Sequence, residues 1–386
     1  MQQAQQNIPL SLYVHFPWCV KKCPYCDFNS HALRDDLPER AYVDALIRDL
    51  HQQLAQLPGR MIQTVFMGGG TPSLISPAEI RRLMDALINS GYLTKAAEVT
   101  MEANPGKLDE TFFEEYLLAG INRLSIGVQS FDNGALKKIG RIHNAEQALS
   151  AINRAKQAGF KRINLDLMYG LPGQSVLASR RDIEIAIAQE VSHLSVYQLT
   201  IEPNTEFAVH TPKLPDSEQY WDMHEQAQAV LQTAGFEQYE VSAYTKNSAC
   251  QHNLNYWQFG DYLAIGAGAH GKLSGLDETG KFHIKRYANF RHPKDYLKAM
   301  NANAFVAHSK TVADNERDLE FLMNALRLRS GFDLSTYLAH THGDTQALLE
   351  KLDQFMSKGW LERQGETIRA TKIGFRYLDS ILVECL

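Results

Sequence analysis

Apolar runs of strand length recur along the first 245 positions, each followed by a stretch with helical spacing. The runs Leu10–Phe16, Thr64–Met67, Glu98–Ala103, Arg123–Gln129, Arg162–Met168 and His193–Thr200 predict strands. Amphipathic stretches near 39–57, 76–90, 109–119, 143–158 and 175–188 predict the helices between them. Ser76-Pro77 reads as an N-cap with proline at the first helical position, and Glu79 stands where a capping box needs it. Gly91, Gly120 and Gly159 follow three of these helices, where a left-handed residue closes the last turn. Strand–helix units of roughly 35 residues imply a parallel sheet. Six or so of them favour a barrel-like sheet with its chemistry in the loops after the strands' carboxyl ends.

Past residue 245 the rhythm changes. Residues 246–260 are polar and aromatic, and 261–290 carry glycines with short β-like pieces such as Lys281–Tyr287. Helical patterns follow at Asn315–Leu328 and Thr345–Lys358, then β-like runs at Trp360–Arg363 and Thr367–Ala370, then a last helix over Lys372–Leu382. Helix, two-stranded turn and helix resemble a winged-helix module. Three segments are therefore expected: 1–245, a connecting region 246–310 and a C-terminal domain 311–386.

Composition narrows the class. The 386 residues carry 39 Lys and Arg against 44 Asp and Glu, a formal charge of −5, with a pI near 6.3. Hydrophobic and charged shares of 44% and 22% exclude bulk disorder. The acidic balance offers no broad basic footprint for nucleic acid or an anionic membrane. No window approaches the roughly 20 apolar residues of a bilayer span, and the start MQQAQQNIPLSLYVHF lacks the basic and apolar regions of a secretory signal. A cytoplasmic protein with no nucleic-acid partner and no integral membrane segment is expected. Five cysteines, an odd number in a long chain, argue against a disulfide scaffold. Three of them, Cys19, Cys23 and Cys26, fall within eight residues, while Cys250 and Cys385 stand alone.

Cys19-Val-Lys-Lys-Cys23-Pro-Tyr25-Cys26 comes directly after the first predicted strand. A structural zinc site usually takes four ligands from two separated pairs, and the chain has no second pair. A cubane iron–sulfur cluster normally takes four thiolates, so a triad leaves one iron open to a small molecule. Buried core cysteines and an incomplete zinc knuckle are the competing readings. Three cysteines on one turn after a strand are not a packing pattern. Met67-Gly68-Gly69-Gly70-Thr71-Pro72 closes the second strand; it reads either as a tight turn or as backbone brought close to a ligand. Glu102 ends the third strand, Gln129 ends the fourth, Arg141 lies in Gly140-Arg-Ile-His143, and Asp166 lies in the fifth. Singly each suits a surface salt bridge; as a set at successive strand ends they suit a site at a barrel mouth.

The CxxxCxxC spacing resembles the signature of the radical S-adenosylmethionine superfamily, over at least residues 10–245. The resemblance implies an α/β fold, a partial (βα)6 barrel with a C-terminal α+β extension. It implies a [4Fe–4S] cluster on Cys19, Cys23 and Cys26, its open iron chelated by the amino and carboxylate groups of S-adenosyl-L-methionine. In that superfamily reductive cleavage of the sulfonium yields a 5′-deoxyadenosyl radical, the protein positioning and shielding the cofactor. Gly69, Gly70 and Thr71 then belong to the glycine-rich motif at the methionine amino group. Glu102, Gln129, Arg141 and Asp166 match the coproporphyrinogen-oxidase-like branch position by position. Tyr13, six residues before Cys19, matches an aromatic position there, and Tyr25 joins the cofactor-binding set.

That branch holds oxygen-independent coproporphyrinogen III oxidases and HemW-type heme chaperones. The oxidases carry a further cysteine two residues past the triad, where this chain has Asp27-Phe28. They also carry a long N-terminal arm, and only nine residues precede the first strand here. His252-Asn253-Leu-Asn-Tyr256-Trp257 resembles the HNxxYW motif of the chaperones. A histidine with two large aromatics suits a flat macrocycle; without the resemblance it reads as a satisfied loop histidine beside core aromatics. Cys250, His143 and His270 compete with His252 as heme ligand. The expectation is a chaperone that binds heme and passes it to an acceptor protein, with no catalytic residue assigned and a cluster-dependent homodimer implied by resemblance. The alternatives are oxidative decarboxylation of coproporphyrinogen III and another radical transformation such as methyl transfer. Two further motifs are set aside. Gly266-Ala-Gly268-Ala-His-Gly271 spells a dinucleotide fingerprint without the helix that should follow it, and Lys285–Lys294, basic and aromatic, suits heme propionates or a nucleic acid backbone but reads first as the solvated face of a β-hairpin.

Overall fold

A computed structural model describes residues 8–33, 36–106 and 111–385. Positions 1–7 of the start read above, and positions 109–110 of the third helical pattern, lie outside the described residues. Six parallel strands pair in chain order: β1 (Leu10–Phe16), β2 (Ile62–Gly69), β3 (Leu93–Ala103), β4 (Arg123–Gln129), β5 (Arg162–Tyr169) and β6 (His193–Gln198). Helices Glu39–Leu54, Pro77–Asn89, Phe113–Leu118, Ala145–Gln157 and Val176–Ala188 return the chain between them. Side-chain alternation separates two faces. Leu12, Val14, Val65, Met67, Val99, Met101, Leu124, Ile126, Leu165 and Leu194 are buried in the main core with the helices. The other face carries Ser11, Thr64, Glu98, Thr100, Ser125, Asn164, Asp166 and His193. Parallel strands buried on both faces are ordinarily apolar throughout, so this polar face marks the barrel interior as a place for ligands or buried networks.

The sheet continues beyond the six strands. β9 (Asp261–Ile265) adds parallel to the free edge of β1, and β10 (His270–Leu276), β11 (Phe282–Asn289) and β12 (Val306–Thr311) follow antiparallel. At the other edge, β7 (Glu237–Gln238) and β8 (Ala243–Thr245) close antiparallel on β6. The described residues thus hold one twelve-stranded sheet in the order β12-β11-β10-β9-β1-β2-β3-β4-β5-β6-β8-β7. Region 246–310 is built into it. Residues 266–271 connect β9 to β10 through Gly266 and Gly268 at φ 103° and 75°, and a strand, not a helix, follows. Lys285–Lys294 departs from the solvated hairpin expected. It spans the end of an inner strand, where Tyr287, Ala288 and Asn289 are buried.

The C-terminal region packs a second core together with Ile8, Phe259, Phe282 and Ile284 from the sheet side. Helices Arg317–Ala325, Leu334–Thr341 and Thr345–Ser357 and a three-stranded sheet bury Phe321, Leu322, Tyr337, Leu352, Phe355 and Ile368. The last helix begins at Leu378, later than its sequence pattern suggests, because Gly374–Arg376 forms a 3-10 turn against Trp360. A Cβ at Gly374 would lie 1.7 Å from the Trp360 carbonyl oxygen. No helix of the described residues is long and apolar enough to cross a membrane.

Candidate functional site at the mouth of the barrel

The carboxyl ends of β1–β6 and their loops enclose a cavity of about 850 Å³. Cys19, Cys23, Tyr25, Cys26, Gly69, Gly70, Thr71, Glu102, Gln129, Arg141 and Asp166 all line it, as does His143. The cysteine loop is fixed at its base, where Trp18–Cys19 pairs in parallel with His31–Ala32. The glycine-rich turn locks against it: Gly70 N–H donates to the Phe16 carbonyl at 2.6 Å and Thr71 N–H to that of Trp18 at 2.7 Å. A Cβ on Gly70 would sit 2.4 Å from the Trp18 carbonyl oxygen, a backbone atom that cannot swing away. Gly70 therefore serves the cysteine loop itself.

A chain of hydrogen bonds joins two of the thiols. Thr71 Oγ1 donates to Cys19 Sγ at 3.6 Å and accepts from Asn104 Nδ2 at 2.8 Å. Arg141 Nη2 donates to Asn104 Oδ1 at 2.5 Å and to the Gly127 carbonyl at 2.8 Å, while Nη1 donates to Cys23 Sγ at 3.7 Å. Burial pushes the Cys19 thiol up, against the pull of Thr71, and pushes Cys26 up against its bonds to the Phe28 backbone and Ser30. Asn104 is the functional residue that sequence reasoning passed over. It stands two residues after Glu102 in the same strand-end run.

Glu102 Oε2 accepts from Gly69 N–H at 3.1 Å, yet burial, then the nearby Asp166, push its carboxyl up to about 8. Asp166 accepts from Ser125 Oγ at 2.9 Å and Asn164 Nδ2 at 2.8 Å, and burial still raises it. Two buried carboxyls facing one cavity favour a cationic or hydroxyl-bearing ligand, which would stabilise their charged forms. Gln129 holds φ 68°, a left-handed strain for a non-glycine residue, and its Oε1 accepts from Tyr197 O–H at 2.7 Å. Arg141 Nε and His143 Nδ1 are buried without a hydrogen-bond partner. The mouth of the barrel is a site with unmet bonds.

The remaining predicted residues lie elsewhere. Tyr13 stands behind the cavity wall, stacked on Phe66 at 6.4 Å, with its hydroxyl 3.0 Å from His15 Nδ1. The HNxxYW run is a helix, Gln251–Trp257, not a loop, and it plugs the opposite end of the barrel. Glu98 caps it: Oε1 accepts from Gln251 N–H at 2.8 Å and from the Cys250 thiol at 3.4 Å, while Oε2 faces Arg123 at 3.7 Å and Arg162 at 3.5 Å. His252 is 1% exposed, with Nδ1 2.8 Å from Thr64 Oγ1 and Nε2 3.1 Å from the Tyr256 hydroxyl. Burial lowers its pKa to about 3. Asn253 and Trp257 share this helix, and Arg327 of the C-terminal region lies 4.3 Å over the Trp257 ring. Neither His252 nor Cys250 reaches the cavity, and His270 stands exposed on β10.

Residues 13–177 match the model of the radical SAM superfamily, and 312–377 match the HemN C-terminal domain. The chain is 44% identical over 375 residues to the heme chaperone HemW of Escherichia coli, and 43% identical over 379 residues to that of Haemophilus influenzae, each across 97% of both chains. It belongs to the HemW family of radical SAM proteins. The solved structure of coproporphyrinogen III oxidase HemN from Escherichia coli superposes with a TM-score of 0.82, covering 100% of this chain and 92% of the other at 22% identity. That likeness establishes the fold alone. Family membership implies a [4Fe–4S] cluster and S-adenosylmethionine, and the residues present fit both. Three thiols line one cavity, yet among the described residues no three His, Cys, Asp or Glu groups close on a point fit for a single metal ion. The orphaned Arg141 Nε and the two raised carboxyls belong to residues of that same cavity, a set whose charges suit a zwitterionic ligand.

Proposed function

We propose that this chain is a heme chaperone of the cytoplasm that binds heme and passes it to an acceptor protein. The observation that carries the reading is full-length identity of 43–44% to two proteins named as heme chaperones. Asp27-Phe28, standing where the oxidases of the branch carry a fourth cysteine, supports it. In this reading Cys19, Cys23 and Cys26 hold the cluster, which supplies when bound a reducible iron with one exchangeable position. Gly69, Gly70, Thr71 and Glu102 take the methionine amino end of S-adenosylmethionine, while Arg141 takes a carboxylate and Asp166 a hydroxyl or ammonium. Thr71, Asn104 and Arg141 orient the Cys19 and Cys23 sulfurs through their hydrogen-bond chain. The test is anaerobic: reconstitute the cluster, titrate hemin, and in parallel assay coproporphyrinogen III decarboxylation with S-adenosylmethionine and reductant. Stoichiometric heme binding without decarboxylation is expected. Decarboxylation at enzymatic turnover would replace the chaperone with an oxidase.

A further inference from the structure

Three thiols can hold one cluster only if the chain presents them together, so each limb of the cysteine loop needs an anchor. Cys19 and Cys23 are anchored from inside the barrel, through Thr71 and Arg141. That chain of bonds does not reach Cys26. Among the described residues the Cys26 thiol bonds within its own limb, to Ser30 Oγ at 3.9 Å and to the Phe28 backbone.

The hold on this limb comes from outside the barrel. Asn29, three residues past Cys26, donates through Nδ2 to the carbonyls of Ala267 and Arg291, both at 2.9 Å. Its Oδ1 accepts from Arg291 Nε at 3.3 Å, and its carbonyl accepts from His15 Nε2 at 2.8 Å. The Tyr13 hydroxyl, 3.0 Å from His15 Nδ1, donates there and so keeps the imidazole proton on the Asn29 side. Ala267 lies in the turn between β9 and β10 whose glycines spell a dinucleotide fingerprint. That turn is itself fixed to the core: Ala267 N–H donates to the Tyr42 hydroxyl at 2.8 Å, which donates to the His15 carbonyl at 2.8 Å. Gly268 stands at φ 75°, and a Cβ there would lie 2.2 Å from Asn29 Nδ2. The space that this glycine leaves is filled by the Asn29 amide.

We propose that Asn29 is the positioning residue of the third cluster cysteine, the pin by which the 266–271 turn clamps the Cys26 limb to the sheet extension. The proposal rests on the reading that Cys19, Cys23 and Cys26 hold a cluster, and it names what places the third of them. Two thiols are set from the barrel interior and one from a turn that lies 238 positions further along the chain. Without the pin, residues 27–30 would have to be ordered when the cluster binds, at a cost in backbone entropy.

Iodoacetamide labelling of the cluster-free full chain, resolved by mass spectrometry at each cysteine, tests the clamp. Asn29→Ala and Gly268→Ala should each label Cys26 roughly tenfold faster than the unmodified chain, while Cys19 and Cys23 keep their rates. Asn29→Asp keeps the size but has no N–H for the two carbonyls, and it should match Asn29→Ala. Cys250, buried at the other end of the barrel, stays unlabelled wherever the fold is intact. In the cluster-loaded chain, a chelator should bleach the chromophore of all three variants roughly tenfold faster. An unchanged Cys26 rate in the Asn29 variants overturns the proposal. So does an equal rise at all three cysteines, or labelling of Cys250 in Asn29→Ala, either of which would make Asn29 a residue of the general fold. An unmodified chain that takes up no iron and sulfide overturns the cluster reading instead, and the labelling pattern still decides the clamp.

Discussion

The two ends of the barrel carry similar side chains, and they are finished differently. At the carboxyl end, Arg141 Nε and His143 Nδ1 have no partner, burial pushes the Glu102 carboxyl up to about 8, and burial raises Asp166 as well. At the amino end, Glu98 is met by the Gln251–Trp257 helix and two arginines, and both nitrogens of His252 are bonded. Unmet bonds in a buried place are costly, and at the carboxyl end they belong to residues that line a cavity of about 850 Å³ with room for a ligand. At the amino end Arg123 Nη2, Asn255 Oδ1 and Trp257 Nε1 are unmet too, but none of the three lines that cavity. A motif's chemistry therefore follows from whether its unmet bonds open on a cavity, more than from which residue types it contains.

The largest test of this contrast concerns the cysteines. Cys19→Ala should abolish the brown chromophore of the reconstituted protein, while Cys250→Ala, at a thiol that donates to Glu98 at the closed end, should leave its intensity unchanged. A Cys250 requirement would move the cluster to the wrong end of the barrel. Next in size is Glu98→Ala. It strips the buried Arg123 of its counter-charge and the helix of its cap, and losing one partner of a buried pair costs about 3–5 kcal/mol. A urea midpoint within error of the unmodified protein would show that the closed end is not held as described.

The sequence made the open end more legible than the closed one. Strand-end polar residues such as Glu102, Gln129 and Asp166 interrupt apolar runs, and an interruption is visible without a structure. Gly69 and Gly70 were visible too, but their reasons were not: Gly70 admits the Phe16–Trp18 backbone and Gly69 the His15 ring, neighbours brought there only in three dimensions. Asn104 carries no charge to draw notice. The closed end depends on Glu98 meeting Gln251, 153 positions later, and no local pattern encodes that. Seven residues of mixed polar and aromatic character show too little periodicity to declare a helix. β9 hid for a similar reason, being five residues long and stabilised by β1 across the whole barrel.

The open end should also announce itself in pH dependence. Glu102 holds its proton up to about pH 8 without a ligand. An ammonium bound beside it requires the carboxylate, so binding releases that proton. S-Adenosylmethionine affinity should therefore rise with pH between 6 and 7.5, by up to roughly tenfold per unit. Glu102→Gln should bind more weakly at pH 7.5 and show a flat profile. Calorimetric titration of the cluster-loaded protein at three pH values checks this, and a sloped profile in the variant would remove Glu102 from the site.

The closed end should show the opposite signature, in stability and not in binding. His252 ionises near 6.5 when unfolded, and burial lowers its folded pKa to about 3. Below pH 6.5 the unfolded chain takes up a proton that the folded chain refuses. The stability that neutral His252 contributes is thus full above pH 6.5 and is lost as pH falls toward 3. His252→Gln keeps much of the shape but loses ring bonds to Thr64 and Tyr256, which costs about 1 kcal/mol at pH 7.5. At pH 5 that deficit should narrow, because the variant has no imidazole to charge on unfolding. Urea midpoints of both proteins at the two pH values decide the matter. A deficit that widens in acid would mean that His252 is protonated in the folded chain, and the closed end would then be a titrating site like the open one.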